Sequence, residues 1–208
     1  MSSAKIAIIL YSTYGHVAKL SESVIAGVKA ANVEYKVFQI TETLPDEVLQ
    51  KMYANKEPIK NYPEVTPDDL KQFDGFIFGF PTRYGRAPAQ VSAFFDRTGG
   101  LWASGALVGK FATIFTSTAS QHGGLETTAL TTLPFFVHHG IIFVPYGYQH
   151  SEAQQNVDKI VGSSAYGAGT VAGGQGQLQP DPLDLSVAEK QGEYFAKVVS
   201  TYVKGSSA

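Results

Sequence analysis

Ile6-Ala7-Ile8-Ile9-Leu10, followed at once by Ser12-Thr13-Tyr14-Gly15-His16-Val17, is the stretch that decides how this chain is read. An uninterrupted aliphatic run suits a strand covered on both faces, and Val17, Leu20, Val24, Ile25 and Val28 then recur at helical spacing. Strand, tight turn and helix therefore follow one another directly. The first amides of a helix have no partner inside it and carry partial positive charge, while small hydroxyls and a glycine let an anion approach them closely. A phosphate fits such a turn without a lysine. Neither the G-x-x-x-x-G-K-[ST] pattern nor a G-x-G-x-x-G after a strand occurs, so triphosphate hydrolysis and a dedicated dinucleotide domain both lose ground. Taken alone the turn is equally an ordinary strand-to-helix loop, and the rest of the chain must decide.

Length and composition narrow the choice. A chain of 208 residues with 44% hydrophobic content buries one sizeable core, which favours a single domain, here 1–204, with 205–208 as a disordered tail. A net charge of -2 with scattered lysines and arginines leaves no footprint for nucleic acid. The absence of cysteine excludes disulfides, thiol catalysis and thiolate metal sites, so any redox chemistry needs a borrowed cofactor. Met1 to Lys5 run straight into a core strand, and no apolar stretch reaches the roughly 20 residues that cross a bilayer. The chain reads as cytoplasmic.

Further along, Tyr35 to Ile40 reads as a second strand, Asp46 to Met52 as a short helix and Ala54 to Glu64 as a loop. Thr66-Pro67-Asp68-Asp69 supplies a cap, a first-turn proline and early acids for a helix ending near Phe73. Gly75 to Phe80 is a third, buried strand; Pro88 to Arg97 is a helix with Val91, Phe94 and Phe95 on one face. Thr98 to Gly105 reads as a loop around Trp102, Lys110 to Thr116 as a fourth strand, Leu125 to His139 as a helix kinked at Pro134, and Ile141 to Val144 as a fifth strand. Gly162 to Gly176 is a long glycine-rich loop, and Ser186 with Glu189 reads as a capping box opening a last helix through Val187, Tyr194, Phe195, Val198, Val199 and Tyr202. Alternating strands and helices predict an α/β fold, an open, doubly wound five-stranded parallel sheet in three layers, with its ligand beyond the carboxyl ends of the strands.

Loops after strands one, three and four should meet there. The third-strand loop is Pro81-Thr82-Arg83-Tyr84-Gly85-Arg86-Ala87-Pro88 and the fourth-strand loop Ser117-Thr118-Ala119-Ser120-Gln121-His122-Gly123-Gly124. Both are rich in groups that recognise a flat heterocycle: turn amides and hydroxyls for its carbonyls, and Tyr84 or Trp102 for its faces. Plain packing explains an arbitrary tyrosine equally well. His138 and His139 are adjacent, so on a helix they diverge by about 100°. No H-E-x-x-H or similar spacing accompanies them, which argues against a metal site.

Ser12-Thr13-Tyr14-Gly15-His16, Pro81-Thr82-Arg83-Tyr84-Gly85, Thr98-Gly99-Gly100-Leu101-Trp102-Ala103-Ser104-Gly105, His138-His139-Gly140, and Tyr166-Gly167 with Ala172-Gly173-Gly174 together resemble the WrbA-type NAD(P)H:quinone oxidoreductases, a flavodoxin-like family. The mix resembles the fungal 1,4-benzoquinone reductases within it, and the likeness runs from Lys5 to about Lys204. The resemblance implies FMN as cofactor, NADH or NADPH as electron donor, small quinones as acceptors, and a homotetramer, or a homodimer. It implies that Ser12, Thr13, Tyr14, Gly15, His16 and Val17 hold the FMN phosphate and that Thr82, Arg83 and Tyr84 contact the ribityl chain and ring. Ser117, Thr118, Ala119, Ser120, Gln121 and His122 would wrap the ring's polar edge, and His138 would be a further cofactor contact. Tyr14 would meet the nicotinamide nucleotide and Trp102 the quinone. Many family members have more glycine where this chain has Ala119 to His122. Phe94, Phe95, Phe135 and Phe136 are aromatic surface for subunit contacts, or simply core. Two other functions share the fold: a one-electron carrier, which would dock through an acidic face this chain lacks, and an FMN-binding assembly protein with little turnover.

Overall fold

The computed structural model describes residues 4–148 and 152–206; His150 lies outside them. The expected first strand, β1 (Lys5–Leu10), is buried from Ile6 onward and is the second strand of a parallel sheet ordered β2-β1-β3-β4-β5, with β2 at Glu34–Gln39, β3 at Gly75–Pro81, β4 at Phe111–Thr118 and β5 at Ile142–Phe143. Successive strand residues point to opposite faces. Ile6, Ile8 and Leu10 accordingly join one apolar cluster with Val17, Leu20, Val24 and Phe195 of the helices α1 (His16–Ala30) and α6 (Pro182–Ser206). Ala7 and Ile9 join the other, with Phe76, Phe78, Val91, Phe94 and Phe136, under α3 (Ala89–Asp96) and α5 (Thr127–His139). Two helical layers thus enclose one sheet, as expected.

The fifth sheet position is where the fold departs from the sequence reading. Ile142 and Phe143 pair with Phe111 and Ala112 at the start of β4, while β6 (Gly169–Val171) pairs with Thr116 to Thr118 at its end. One edge of β4 is therefore covered by two short strands. The intervening chain leaves the sheet and returns, so the segment from Gly162 to Gly176 is not one loop. Gln191 of α6 anchors the return, accepting a hydrogen bond from the Ala168 amide (2.7 Å) and donating to Thr113 Oγ1 (2.8 Å).

Other boundaries shift for local reasons. Thr66 and Asp69 form a reciprocal capping box, but the element behind it is a 3-10 helix, Pro67–Gln72. A second 3-10 turn, Glu57–Ile59, buries Ile59 within the expected loop. Helix α2 is Asp46–Lys51, and α5 continues through Pro134 to a left-handed Gly140. Trp102 sits not in a loop but in a short helix, α4 (Gly99–Ala103), where its amide donates to Thr98 O (3.1 Å). Ser186 is interior to α6, which instead starts with Pro182 behind Asp181, whose carboxylate accepts from the Leu183 amide (2.8 Å). Gly205 and Ser206 continue that helix; Ser207 and Ala208 lie outside the described residues.

Helices α1 and α6 touch backbone to backbone. A Cβ on Gly27 would lie 1.9 Å from Glu189 O, and one on Gly192 would lie 2.3 Å from Val24 O. This close seam fixes the axis of α1, and with it the place where its amino end meets the sheet.

Candidate functional site

β1 ends between β2 and β3, where strand order reverses and α1 begins; in this fold that crevice takes the ligand. Gly15 turns the chain into the helix with φ 93, a conformation that favours glycine, and its amide donates to Ser12 Oγ (3.2 Å). No acidic residue occupies the first turn of α1, so its amino end keeps its positive character. The Asn55 amide donates to Thr13 O (2.7 Å) and braces the turn from outside.

After β3, the backbones of Arg83 and Arg86 exchange hydrogen bonds (2.8 and 3.1 Å), making a tight hairpin whose tip, Tyr84-Gly85, is left-handed at both residues (φ 54 and 77). The Thr82 amide donates to Ser117 O (2.9 Å), joining this hairpin to the end of β4. Arg83 lies along the cleft wall, donating from Nη1 to Thr82 O (2.8 Å) and from Nη2 to Thr13 Oγ1 (3.0 Å). Beyond β6 the Ala172 amide donates to Thr118 O (2.7 Å), and His16 Nε2 lies 3.2 Å from Gly176 O.

These three loops and the glycine-rich return enclose a cleft of about 620 Å³. Ser12, Thr13, Tyr14, His16, Val17, Thr82, Arg83, Ser117, Thr118 and Ala119 all border it, as the sequence reading requires of them. Arg83 carries the only fixed charge among the described lining residues, and no carboxylate lines the space. A cleft within the roughly 300–1,000 Å³ typical of small-ligand sites, with a free helix start at one end and a guanidinium beside it, suits a phosphorylated heterocycle. FMN fits that donor set.

Other expected contacts stand apart. Gly15 serves through its backbone, Tyr84 is fully exposed at the hairpin tip, and Ser120, Gln121 and His122 are exposed beyond the cleft wall. His138 is exposed near the carboxyl end of α5, four residues before the β5 residue that pairs with Phe111. The cleft lies at the opposite end of β4, roughly 20 Å away at about 3.3 Å per strand residue. Trp102, 60% exposed, shares that remote end: Thr98 Oγ1, just before α4, lies 2.9 Å from Nε2 of buried His139. Burial, and then the neighbouring His138, push the His139 pKa down. Among the described residues no cluster of three or more metal-ligating side chains forms.

The sequence reading missed Met52 and Tyr53, which also line the cleft, and took the segment from Tyr146 to Gln179 only as pocket wall or subunit contact, without singling out Ala172, Gly173, Gly174, Gln175, Gly176 and Gln179, which line it too. Tyr53 is the left-handed residue (φ 54) just past α2, with the Ala54 amide reaching back to Leu49 O (2.9 Å), and it is 89% exposed. A tyrosine where glycine is usual was the available signal. For Gly173 to Gly176 the signal was Gly169-Thr170-Val171, β-prone residues directly before a glycine run.

Residues 4–156 match the model of the NADPH-dependent FMN reductase family. The chain is 50% identical over 203 residues to an NAD(P)H quinone oxidoreductase of Candida albicans, covering 97% of this chain and 70% of that protein. It is also 50% identical over 205 residues to a quinone-oxidoreductase of Triphysaria versicolor, covering 98% of both chains. Among solved structures, a WrbA-like flavodoxin from Agrobacterium tumefaciens superposes with a TM-score of 0.64 at 20% identity, covering 96% of this chain and 99% of that one, a likeness of fold. The chain belongs to the NADPH-dependent FMN reductase family, a class of flavodoxin-like oxidoreductases. The expected family, fold, enzyme class and pairing of FMN with NAD(P)H agree with these findings.

Proposed function

We propose that the chain is an FMN-dependent NAD(P)H:quinone oxidoreductase that reduces small quinones to hydroquinones, with donor and acceptor taking turns in one cleft. The observation that carries this reading is the pairing of an amide-lined helix start with Arg83 on a cleft that no carboxylate lines among the described residues. FMN held there would supply two-electron hydride chemistry between nicotinamide and quinone. The protein's part would be position and charge: Ser12 to Val17 hold the phosphate, Thr82 and Arg83 meet the ribityl chain and ring, and Ser117 to Ala119 border its polar edge, while Tyr84 and Ser120 to His122, which lie outside the cleft wall, are proposed only as rim contacts. No side chain needs to act as nucleophile or general base. Tyr14, half exposed at the mouth, is placed to meet the nicotinamide nucleotide.

His138 and Trp102 take their expected roles only in an assembly. Both lie at the end of the sheet away from their own cleft, so a second copy must bring them to it, and the homotetramer is the assembly the reading adopts. Phe94 and Phe136 are buried in the core, while Phe95 and Phe135, half-buried, stack on each other with centroids 3.8 Å apart, so of these rings only the stacked pair offers surface for that contact. Residues 1–204 act as one domain in this reading. The cytoplasm, where NAD(P)H is available, is its place of action; among the described residues no helix is long and apolar enough to cross a membrane.

The test is a visible spectrum of purified protein and an NAD(P)H-dependent benzoquinone assay with and without added FMN. Parallel initial-rate lines are expected; intersecting lines contradict a shared cleft, and inertness with FMN present contradicts the enzyme.

A further inference from the structure

Behind the phosphate turn, outside the cleft, one carboxylate gathers five donors. Glu42 Oε1 accepts from the amides of Thr43 (2.9 Å) and Leu44 (3.1 Å) and from Gln90 Nε2 (2.8 Å). Its Oε2 accepts from the Tyr11 hydroxyl (2.9 Å) and from Lys56 Nζ (2.9 Å). Glu42 follows β2, Gln90 opens α3, Lys56 follows α2 and Tyr11 follows β1, so a single side chain ties together four elements behind the phosphate turn.

The order of protons in this group is set by chemistry. An ionised carboxylate only accepts, and a hydroxyl has one proton to give. The Tyr11 proton therefore goes to Glu42. Tyr11, 1% exposed, interacts in turn with the Thr13 side chain, whose hydroxyl is the donor that lowers the Tyr11 pKa, and Thr13 Oγ1 accepts from Arg83 Nη2 (3.0 Å). A chain results that runs one way: Arg83 to Thr13, Thr13 to Tyr11, Tyr11 to Glu42. The Thr13 proton is committed inward, away from any phosphate, and its free lone pair holds the guanidinium. Arg83 is pinned on its other arm by Thr82 O (2.8 Å), which leaves its remaining N–H groups for an anion in the cleft.

We infer that Glu42 and Tyr11 are positioning residues for the cofactor, aligning the Arg83 guanidinium through the Thr13 hydroxyl although neither lines the cleft. The inference rests on the FMN reading of that cleft. Chains of hydrogen bonds polarise one another, so loss of an inner link weakens the outer one.

The test is a double-mutant cycle read by FMN affinity, not by turnover: fluorescence titration of folded apoprotein for wild type, Tyr11→Phe, Thr13→Val and the double variant, with urea midpoints measured in parallel. Tyr11→Phe deletes only a buried hydroxyl and is expected to weaken FMN binding roughly tenfold, the scale of one hydrogen bond to a charged group. The double variant is expected to bind no worse than the weaker single variant. Glu42→Gln, which keeps the shape but ends the fixed proton order, is expected to weaken FMN as well, and it serves in place of Tyr11→Phe should that variant fail to fold. Multiplying losses, or a lowered urea midpoint with unchanged FMN affinity, would reduce these residues to structural support and overturn the inference. Wild-type apoprotein that takes up no FMN would overturn the cleft reading, and the relay's role with it.

Discussion

Glu42 also makes a quantitative claim on acid stability. Burial alone pushes its pKa up, but the hydrogen bond and charge of Lys56 together with the amides of Leu44 and Thr43 outweigh that and hold it at about 2, against an ordinary 4.5. Its side chain is 19% exposed and that of Lys56 22%, so solvent screens the pair only in part. At about 1.4 kcal/mol per tenfold change in proton affinity, the depressed pKa corresponds to at most about 3 kcal/mol of folded-state stability. The sign follows from the direction: a depressed carboxyl stabilises the fold fully above pH 4.5, and the contribution disappears as pH falls toward about 2. Glu42→Gln removes the charge at every pH and leaves Lys56 unpaired. Urea unfolding at neutral pH should then show the variant about 2–3 kcal/mol less stable, a midpoint lower by about 1 M or more. Between pH 4.5 and about 2 the two curves should converge. A gap that stays constant across that window would refute the reasoning, because the difference would then come from packing and not from ionisation.

Three further outcomes follow from other parts of the molecule. Gly192→Ala drives a Cβ to 2.3 Å from Val24 O in the α1–α6 seam, and thermal unfolding should show a loss of roughly 2–3 kcal/mol; wild-type stability would mean the helices part without cost. Tyr53→Gly relieves a left-handed backbone at an 89% exposed residue and should raise stability by about 1 kcal/mol, and an unchanged melting temperature would deny the strain. Trp102→Ala should raise the quinone KM several-fold, the scale of one lost aromatic contact, while FMN affinity holds. Unaltered quinone kinetics would remove Trp102 from the acceptor side.

The parts legible in the sequence were those where one local cause dominates. Ile6 to Leu10, Gly75 to Phe80 and Lys110 to Thr116 read as buried strands because short runs dominated by apolar and β-branched residues suit a strand covered on both faces. Ser12 to Val17 read as a phosphate turn because glycine and hydroxyls stand directly before a helical period. Where two causes competed, the reading slipped. Asp181-Pro182 and Ser186-Glu189 both carry helix-start chemistry, and the helix starts at the first, where the Leu183 amide donates to the Asp181 carboxylate. Gly169-Thr170-Val171 lay hidden among glycines, and what makes it a strand is a free edge at the end of β4, a tertiary fact. Half the cleft was visible as motifs. The other half was not, because Met52 and Tyr53 reach it from a helix end far from any strand; the Glu42 group behind the cleft was equally hidden, because it is assembled by four elements no single window contains. His138 and Trp102 show the reverse: a family pattern names them, yet one folded chain leaves them at the far end of the sheet.

The central claim is that main-chain amides at the start of α1 grip the phosphate of FMN. Titrating the apoprotein with FMN and with riboflavin, which lacks only that phosphate, tests it most directly. The account predicts that FMN binds tighter by at least on the order of a hundredfold, as two or more charge-assisted hydrogen bonds require. Equal affinities would show that the turn holds no phosphate and would contradict it.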